Sequence, residues 1–471
     1  MSNIFYSKFS ELSGERLDPI FYVAIQKIQK ELVKKAKYKC IDLIKSCSIN
    51  RGKFGHRPRN DPRFYGGEYP FIQTGDIVEA SKNNSSIKYT QTLNELGLST
   101  SKLFEPPKLL FTIAANIGDT AILDYPSCFP DSIVALVPND DTLSLEYLNI
   151  YLKLIKPHIE ALAPYSAQKN LNNQQLAKIP LIIPPSNIQN QIIQKMEQSH
   201  KQKQQKEQEA QKKLESIDSY LLDALGIEFP IEREESLEDR VFVRRFSELK
   251  GRFDGVYYSE KFIALDNSLV NSHYPLMRLG DICEINRGGS PRPIHNFITD
   301  DEDGINWIKI GDTKGIDKYI YKTKQKIIPK GIKHSRMVYE GDFILSNSMS
   351  FGRPYIMKTT GCIHDGWLLL RKREDIVSED FLYSILNSAL IYKFFKKETI
   401  GGVVENLSID LVKKIKIPVP PLEIQNKIAN NNQLLLDEAQ ALKKEATEIY
   451  NRAKLEVEKM ILGENLSRER D

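Results

Sequence analysis

Ile179-Pro180-Leu181-Ile182-Ile183-Pro184-Pro185, followed by Ile188-Gln189-Asn190, returns late in the chain as Ile417-Pro418-Val419-Pro420-Pro421 followed by Ile424-Gln425-Asn426. The proline pairs lie 420 − 184 = 236 positions apart. The same offset carries Ile49-Asn50-Arg51-Gly52 onto Ile285-Asn286-Arg287-Gly288, and Gly75-Asp76 onto Gly311-Asp312. Phe9-Ser10-Glu11-Leu12 recurs as Phe246-Ser247-Glu248-Leu249, and Arg16-Leu17-Asp18 as Arg252-Phe253-Asp254. Half of 471 residues is about 236, so two units fill the chain. Stacked repeats have periods of about 20 to 50 residues, so this is a duplicated domain and not a solenoid. Two similar but diverged halves suit contact with two similar but different targets.

Each proline junction predicts an extended segment, because proline fixes φ and removes a donor, and helix can begin only past the second proline of the pair. From Ser186 up to Gly226, and from Leu422 to Leu462, neither glycine nor proline interrupts the chain. Each stretch, about 40 residues long, predicts a helix of about 60 Å. Helices of that length need a partner. The second carries a heptad stripe, Leu435, Ala439, Leu442, Ala446, Ile449, Ala453 and Met460, whose steps of four and three share one seam. The first is apolar at its ends (Ile188, Ile192, Met196, then Leu214, Ile217, Leu221, Leu225), with a Gln-, Lys- and Glu-rich middle from Glu197 to Lys213. The two are expected to pair antiparallel, since each stands at the same end of its repeat. Ahead of them, Lys108–Ile113 and Ser132–Val137 read as strands, answered by Phe343–Leu345 and Trp367–Leu370. Leu145–Ile155 and Asp380–Phe394 read as helices. Each globular part is therefore α+β.

Composition excludes more than it assigns. A hydrophobic content of 41%, a charged content of 27% and a net charge of +4 are those of a soluble globular protein, so any basic footprint must be local. With no run of 18 apolar residues and no signal-peptide layout, the expected compartment is the cytoplasm. The five cysteines form no close metal or redox pair; Cys128 and Cys362, each three residues before an aspartate (Asp131, Asp365), read as buried apolar groups. No phosphate-cradling Gly-Lys-Ser/Thr loop or dinucleotide turn occurs, and the seven histidines show no metal-ligand spacing. A nuclease-like Asp312-Thr313-Lys314 has Asp76-Ile77-Val78 as its first-half equivalent, without the lysine. No Pro-Pro pair carries the aromatic that a base-flipping amino-methyltransferase needs. No cofactor or metal site is expected on this chain.

Recognition chemistry is easier to find. After the first Ile-Asn-Arg-Gly come Arg51, Lys53, His56, Arg57, Arg59 and Arg63, interleaved with Phe54, Phe64 and Tyr65. The matching loop holds Arg287, Arg292 and His295, with Gly288-Gly289-Ser290 expected to give a flexible approach. Later loops bring amides: Asn116 before Gly118, Gln168-Lys169-Asn170, Asn347 before Gly352-Arg353, and Asn406. Arginine forks onto guanine and phosphate, and Asn or Gln pairs bidentately with adenine. Equivalent loops of this composition in both halves favour DNA.

On these features the chain resembles the specificity subunits of type I restriction–modification systems. The resemblance rests on two recognition domains each followed by a long helix, on the Ile-Pro-x-Pro-Pro-x-x-x-Gln junction at Ile417–Gln425 with its looser form at Ile179–Gln189, and on Ile-x-x-Gly-Asp at Ile72–Asp76 and Ile308–Asp312. Asn170-Leu171 and Asn406-Leu407-Ser408 add to it. It implies two α+β target-recognition domains related by pseudo-twofold symmetry and separated by two long antiparallel coiled-coil helices. The corresponding boundaries are 1–180, 181–228, 229–418 and 419–471. It also implies a non-catalytic chain that reads a bipartite, asymmetric duplex-DNA target. Two modification subunits would bring S-adenosylmethionine and methylate adenine, and restriction subunits would bring ATP and Mg. The competing expectations are a coiled-coil scaffold that binds no DNA and a nucleic-acid enzyme acting through Asp312.

Overall fold

The computed structural model describes residues 24–25, 27–56, 59–163, 170–229, 243–246, 249, 253–316, 318–347, 351–373, 375–399 and 406–464. The repeated Phe9–Leu12 and Arg16–Asp18, with Ser247, Glu248 and Arg252 of their counterparts, lie outside the described residues. The chain folds as two compact units, Met1–Glu207 with Lys443–Asp471, and Gln208–Leu442. Each contains one globular part and a portion of both long helices. The unit boundaries thus fall within those helices, because each helical segment packs on the globular part beside it.

The first unit is built on an antiparallel sheet in the order Cys47–Arg51, Ile133–Pro138, Lys108–Thr112, Thr120–Leu123. Both faces are covered, and the period-2 alternation of strand side chains decides which residue goes where. Leu109, Phe111, Val134 and Leu136 pack with Tyr147, Leu148, Tyr151 and Leu152 of the helix Leu145–Leu154. Leu110, Ile133 and Ala135 join Ile72 and Ile77 on the other face. A second sheet orders Gln91–Leu93, Tyr65–Phe71, Ser127–Cys128 and Leu103–Phe104.

The second unit repeats this plan. Its main sheet runs Cys283–Arg287, Trp367–Lys372, Phe343–Ser346, Pro354–Met357, Tyr319–Ile320, and its second Ile298–Thr299, Gln325–Ile327, Ile305–Ile308, Gly361–Ile363, Arg336–Val338. Ile49 pairs Leu136 in the first unit as Ile285 pairs Leu370 in the second. The helix expected over Asp380–Phe394 is two helices, Glu379–Leu386 and Ala389–Thr399. The proline junctions are short edge strands: Pro180–Ile183 pairs Lys39–Asp42, and Lys416–Pro418 pairs Leu276–Arg278. A two-stranded edge tolerates proline because one side of each strand needs no donor.

The long helices span Ser186–Leu225 and Leu422–Leu462. Each stops at a glycine in the left-handed region, Gly226 at φ +68° and Gly463 at φ +73°. There the N–H two residues past the last helical one reaches back, Ile227 to Leu222 O and Glu464 to Lys459 O, both at 2.9 Å. This closes the free carbonyls of the last turn. The helices run antiparallel. In the first unit Lys195 pairs with Glu456, and Lys206 with Glu445 at 3.0 Å. In the second, Lys213 pairs with Glu438 at 2.5 Å. The seam is thin: Ala210, Ala439, Ala446, Ala453 and Val457 are buried, while Leu435, Leu442, Ile449 and Met460 are half-buried. The polar middle of the first helix contributes half-buried Lys203, Lys206 and Lys213. Their methylene stems lie along the seam and their ammonium groups reach carboxylates on its rim.

Candidate nucleic-acid interface

In the first unit the candidate loop leaves the strand Cys47–Arg51 and turns at Gly52, where a Cβ would sit 2.3 Å from Pro130 O. Gly288 of the second unit is held the same way, 2.2 Å from His364 O. These glycines are therefore required by a close approach within the fold, and Gly288 is packed against its own chain where a flexible approach was expected.

That approach brings an aspartate under each loop. Arg51 Nε donates to Asp131 O at 2.6 Å, and the Arg59 guanidinium pairs with the Asp131 carboxylate. In the second unit Arg287 Nε donates to Asp365 O at 3.2 Å. Ser290 Oγ donates to Asp365 Oδ1 at 2.5 Å, and Arg292 Nη2 to Oδ2 at 3.3 Å. The Ser290 hydrogen bond, with the charges of His364 and Arg292, holds the Asp365 carboxyl below its ordinary range. Neither aspartate was among the expected recognition residues. Their signal was the shared position three residues past Cys128 and Cys362.

The remaining candidates divide by exposure. Lys53, Arg63, Asn116, Asn170, His295, Arg353 and Asn406 are exposed. Arg63 forks onto Asp61, with Nη2 to Oδ2 at 2.7 Å, and holds that carboxyl well below the usual range. His56 contacts the same carboxylate at 3.1 Å and stacks on Phe64 at 3.9 Å between centroids. Asn116 precedes Gly118, and Arg353 follows Gly352; both glycines adopt positive φ in equivalent turns, +85° and +81°. Asn170 bridges Ala114, and Leu407 beside Asn406 donates to Asn347 O at 3.0 Å, so the amide loops sit next to these turns. Asn347 differs from the expectation. It is 1% exposed, and its Nδ2 donates to Asp365 O at 3.0 Å, which places it within the support of the loop. Arg57, Gln168 and Lys169 lie outside the described residues.

Two aromatics of the basic loop are core. Phe54 and Phe64 are buried in a cluster with Phe71 and Leu93. The Asp312-Thr313-Lys314 element is also structural: Asp312 is buried, accepts the Lys309 N–H at 2.8 Å and caps the turn Ile310–Thr313. Asp76 accepts the Gln73 N–H at 2.8 Å in the same way. Cys128 and Cys362 are buried, and burial pushes both thiols up. Among the described residues, no helix is long and apolar enough to cross a membrane.

Comparison with known proteins accords with this architecture. The family model described as the type I restriction modification DNA specificity domain matches twice, over residues 47–216 and 271–446. The type I restriction enzyme MjaIX specificity subunit of Methanocaldococcus jannaschii is 24% identical over 204 residues. That match covers 42% of this chain and 46% of that subunit, so it spans about half the length of the curated relative. A solved structure, from work on complex assembly and conformational transition of the type I R-M system, matches with a TM-score of 0.58 at 14% identity. It covers 90% of this chain and 96% of that one, and shows the shared fold. The HsdS subunit from Thermoanaerobacter tengcongensis gives a TM-score of 0.44 at 14% identity, over 91% of this chain and 97% of its own. With two matches that together span well over half its length, the chain belongs to the family of type I restriction–modification DNA specificity domains.

Proposed function

We propose that this chain selects the DNA target of a type I restriction–modification complex and performs no chemistry itself. The observation that supports this best is the aspartate-supported loop that each unit presents at the end of its main sheet: Arg51 and Arg59 on Asp131, Arg287, Ser290 and Arg292 on Asp365. Each loop keeps exposed cations and amides beside it, which suits phosphate neutralisation and readout of base edges. Because the loops differ in composition, two such readers specify an asymmetric bipartite site, as two identical readers would specify a palindrome. Their half-site centres are expected about one helical turn, roughly 10 bp, apart.

In this reading the paired helices set the spacing and carry two modification subunits, which supply S-adenosylmethionine and methylate adenine. Restriction subunits, with ATP and Mg, join the same assembly in the cytoplasm. Binding to duplex DNA by the full chain in complex with its modification subunits tests the reading. Sequence-selective binding that weakens steeply as salt rises is expected. A chain that assembles with its partners yet leaves their DNA binding non-selective would be a scaffold, contrary to the proposal.

A further inference from the structure

The two recognition units share a plan but differ at one place where a ligand can enter. Phe71 in the first unit and Trp307 in the second hold the same position, each the parallel strand partner of an equivalent cysteine, Cys128 or Cys362. In the first unit Phe54 covers Phe71, with ring centroids 5.1 Å apart and Phe54 only 2% exposed. The residue at the equivalent place in the second unit is Ser290, 290 − 54 = 236 positions on. A hydroxymethyl group cannot fill the volume of a phenyl ring. A cavity of about 650 Å3 opens there instead, lined by Ser290, Arg292, Trp307, Lys309, His364 and Asp365, with two prolines and an isoleucine at its edge.

Among the described residues, the polar side chains that line this cavity are nearly all donors. Among the described residues that line it, Asp365 is the one carboxylate, and Ser290 and Arg292 already engage its two oxygens. Lys309 gives one N–H to Gln325 Oε1 at 2.6 Å and keeps the others. His364 Nδ1 accepts the Gly366 N–H at 2.8 Å, so in the neutral ring Nε2 carries the proton and donates. The indole of Trp307 stands edge-on to this imidazole at 6.2 Å. In the first unit Gln73 stands at the place of Lys309, and both backbone N–H groups donate to their cap aspartates at 2.8 Å. Pro130 stands at the place of His364. Plug, lysine and histidine have therefore all changed together between the two units.

The geometry points to this cavity as a specificity pocket of the second unit, one that takes an acceptor-bearing group of the DNA, the O6 and N7 edge of a guanine. Two adjacent acceptors on a flat base suit several converging donors beside the exposed Pro293 and Ile294 wall, with Trp307 buried beneath at 2% exposure. A phosphate offers acceptors too, but has no flat face for that wall. This inference rests on the DNA-reading function proposed above and deepens it.

The test uses the full chain in complex with its modification subunits, selecting from a pool of random-sequence duplexes. The wild type is expected to enrich a bipartite sequence. Lys309→Gln, which installs the first unit's residue, should lower discrimination at one guanine of one half-site by about ten- to hundredfold. The other half-site should stay unchanged. Ser290→Phe, which restores the plug, should act at the same position. Duplex carrying 7-deazaguanine there lacks the N7 acceptor; it should bind the wild type more weakly and Lys309→Gln no differently from ordinary duplex. Unchanged selection by Lys309→Gln would overturn the pocket while leaving the DNA-reading function standing. So would even weakening over all sequences with a shallower salt dependence, which marks a phosphate contact. Failure of the wild type to enrich any sequence would overturn both.

Discussion

Ser378 donates its backbone N–H to Gln425 Oε1 at 2.8 Å, fastening the start of one helix to the foot of another. The same glutamine donates through Nε2 to Ile376 O and Pro420 O, each at 2.8 Å. Gln189 repeats the arrangement, accepting from Ser144 at 3.0 Å and donating to Thr142 O at 2.7 Å and Pro184 O at 2.8 Å. Ser144 and Ser378 also cap the helices Leu145–Leu154 and Glu379–Leu386. The glutamine of the proline junction is thus a buried clamp between each long helix and its globular part.

Gln425→Ala strands an N–H and two carbonyls in a buried site, at a cost of about 1–3 kcal/mol for each group left without a partner. Urea unfolding should show the transition of the second unit move to lower denaturant. Exposed Glu423→Ala should stay within about 0.5 kcal/mol of the parent. Equal stability of Gln425→Ala and Glu423→Ala would contradict the clamp.

The helix seam depends on small residues. Ala446 is fully buried, so Ala446→Leu should overpack the seam and destabilise the first unit by about 1–3 kcal/mol. Lys206→Ala removes an ion pair with Glu445 at the partly exposed rim of the seam and should cost about 1 kcal/mol or less. Circular dichroism melts of the two variants order these effects, and a larger loss for Lys206→Ala would count against the seam.

His200 lies in the first unit against Tyr450, with ring centroids 4.7 Å apart. Burial, aided by the charges of Lys153 and Lys203, pushes its pKa down from 6.5 to about 4. Between those values the unfolded chain binds a proton here that the folded chain does not, so stability falls as pH falls through that window. Below about 4 both states are protonated and the loss levels off. His200→Asn removes this contribution. The stability of wild type relative to the variant should therefore decline from pH 7 to pH 4; a constant difference would refute the assignment.

Asp312 serves as a cap, so Asp312→Ala should cost about 0.5–2 kcal/mol and Lys314→Ala almost nothing. The purified chain, supplied with divalent cations, should cleave no DNA. Cleavage abolished by either substitution would restore the nuclease reading of this element.

Much of the architecture is legible because its determinants are local. Pro184-Pro185 and Pro420-Pro421 end strands whatever surrounds them, and Gly226 and Gly463 end helices by adopting a backbone that other residues resist. The apolar run in Lys108–Thr112 reads as a strand because each face of that strand has its own core. The site is less legible because exposure is decided by tertiary packing. Asn347 has the composition of a surface loop and lies buried beside Asp365. Phe54, among arginines, plugs a cavity that its counterpart Ser290 leaves open. Asp131 and Asp365 carry only their shared position three residues past a cysteine, since Arg51 and Arg287, which reach them, come from strands about 80 residues away. Val457 escaped the heptad stripe because the seam steps by four twice in succession, from Ala453 to Val457 to the neighbouring Ile461.

The central claim is that the two units read DNA independently, each through a loop held by its own aspartate. A genome-wide map of methylated adenines in cells carrying wild type, Asp131→Asn or Asp365→Asn tests it most directly. Asn keeps the size of the side chain and removes the charge that holds Arg59 in one unit and Arg292 in the other. Asp131→Asn should relax or shift one half of the methylated target, Asp365→Asn should do so only in the other half, and the spacer between them should be constant. A map in which either substitution alters both half-sites together, or leaves the target as it was, would contradict that claim.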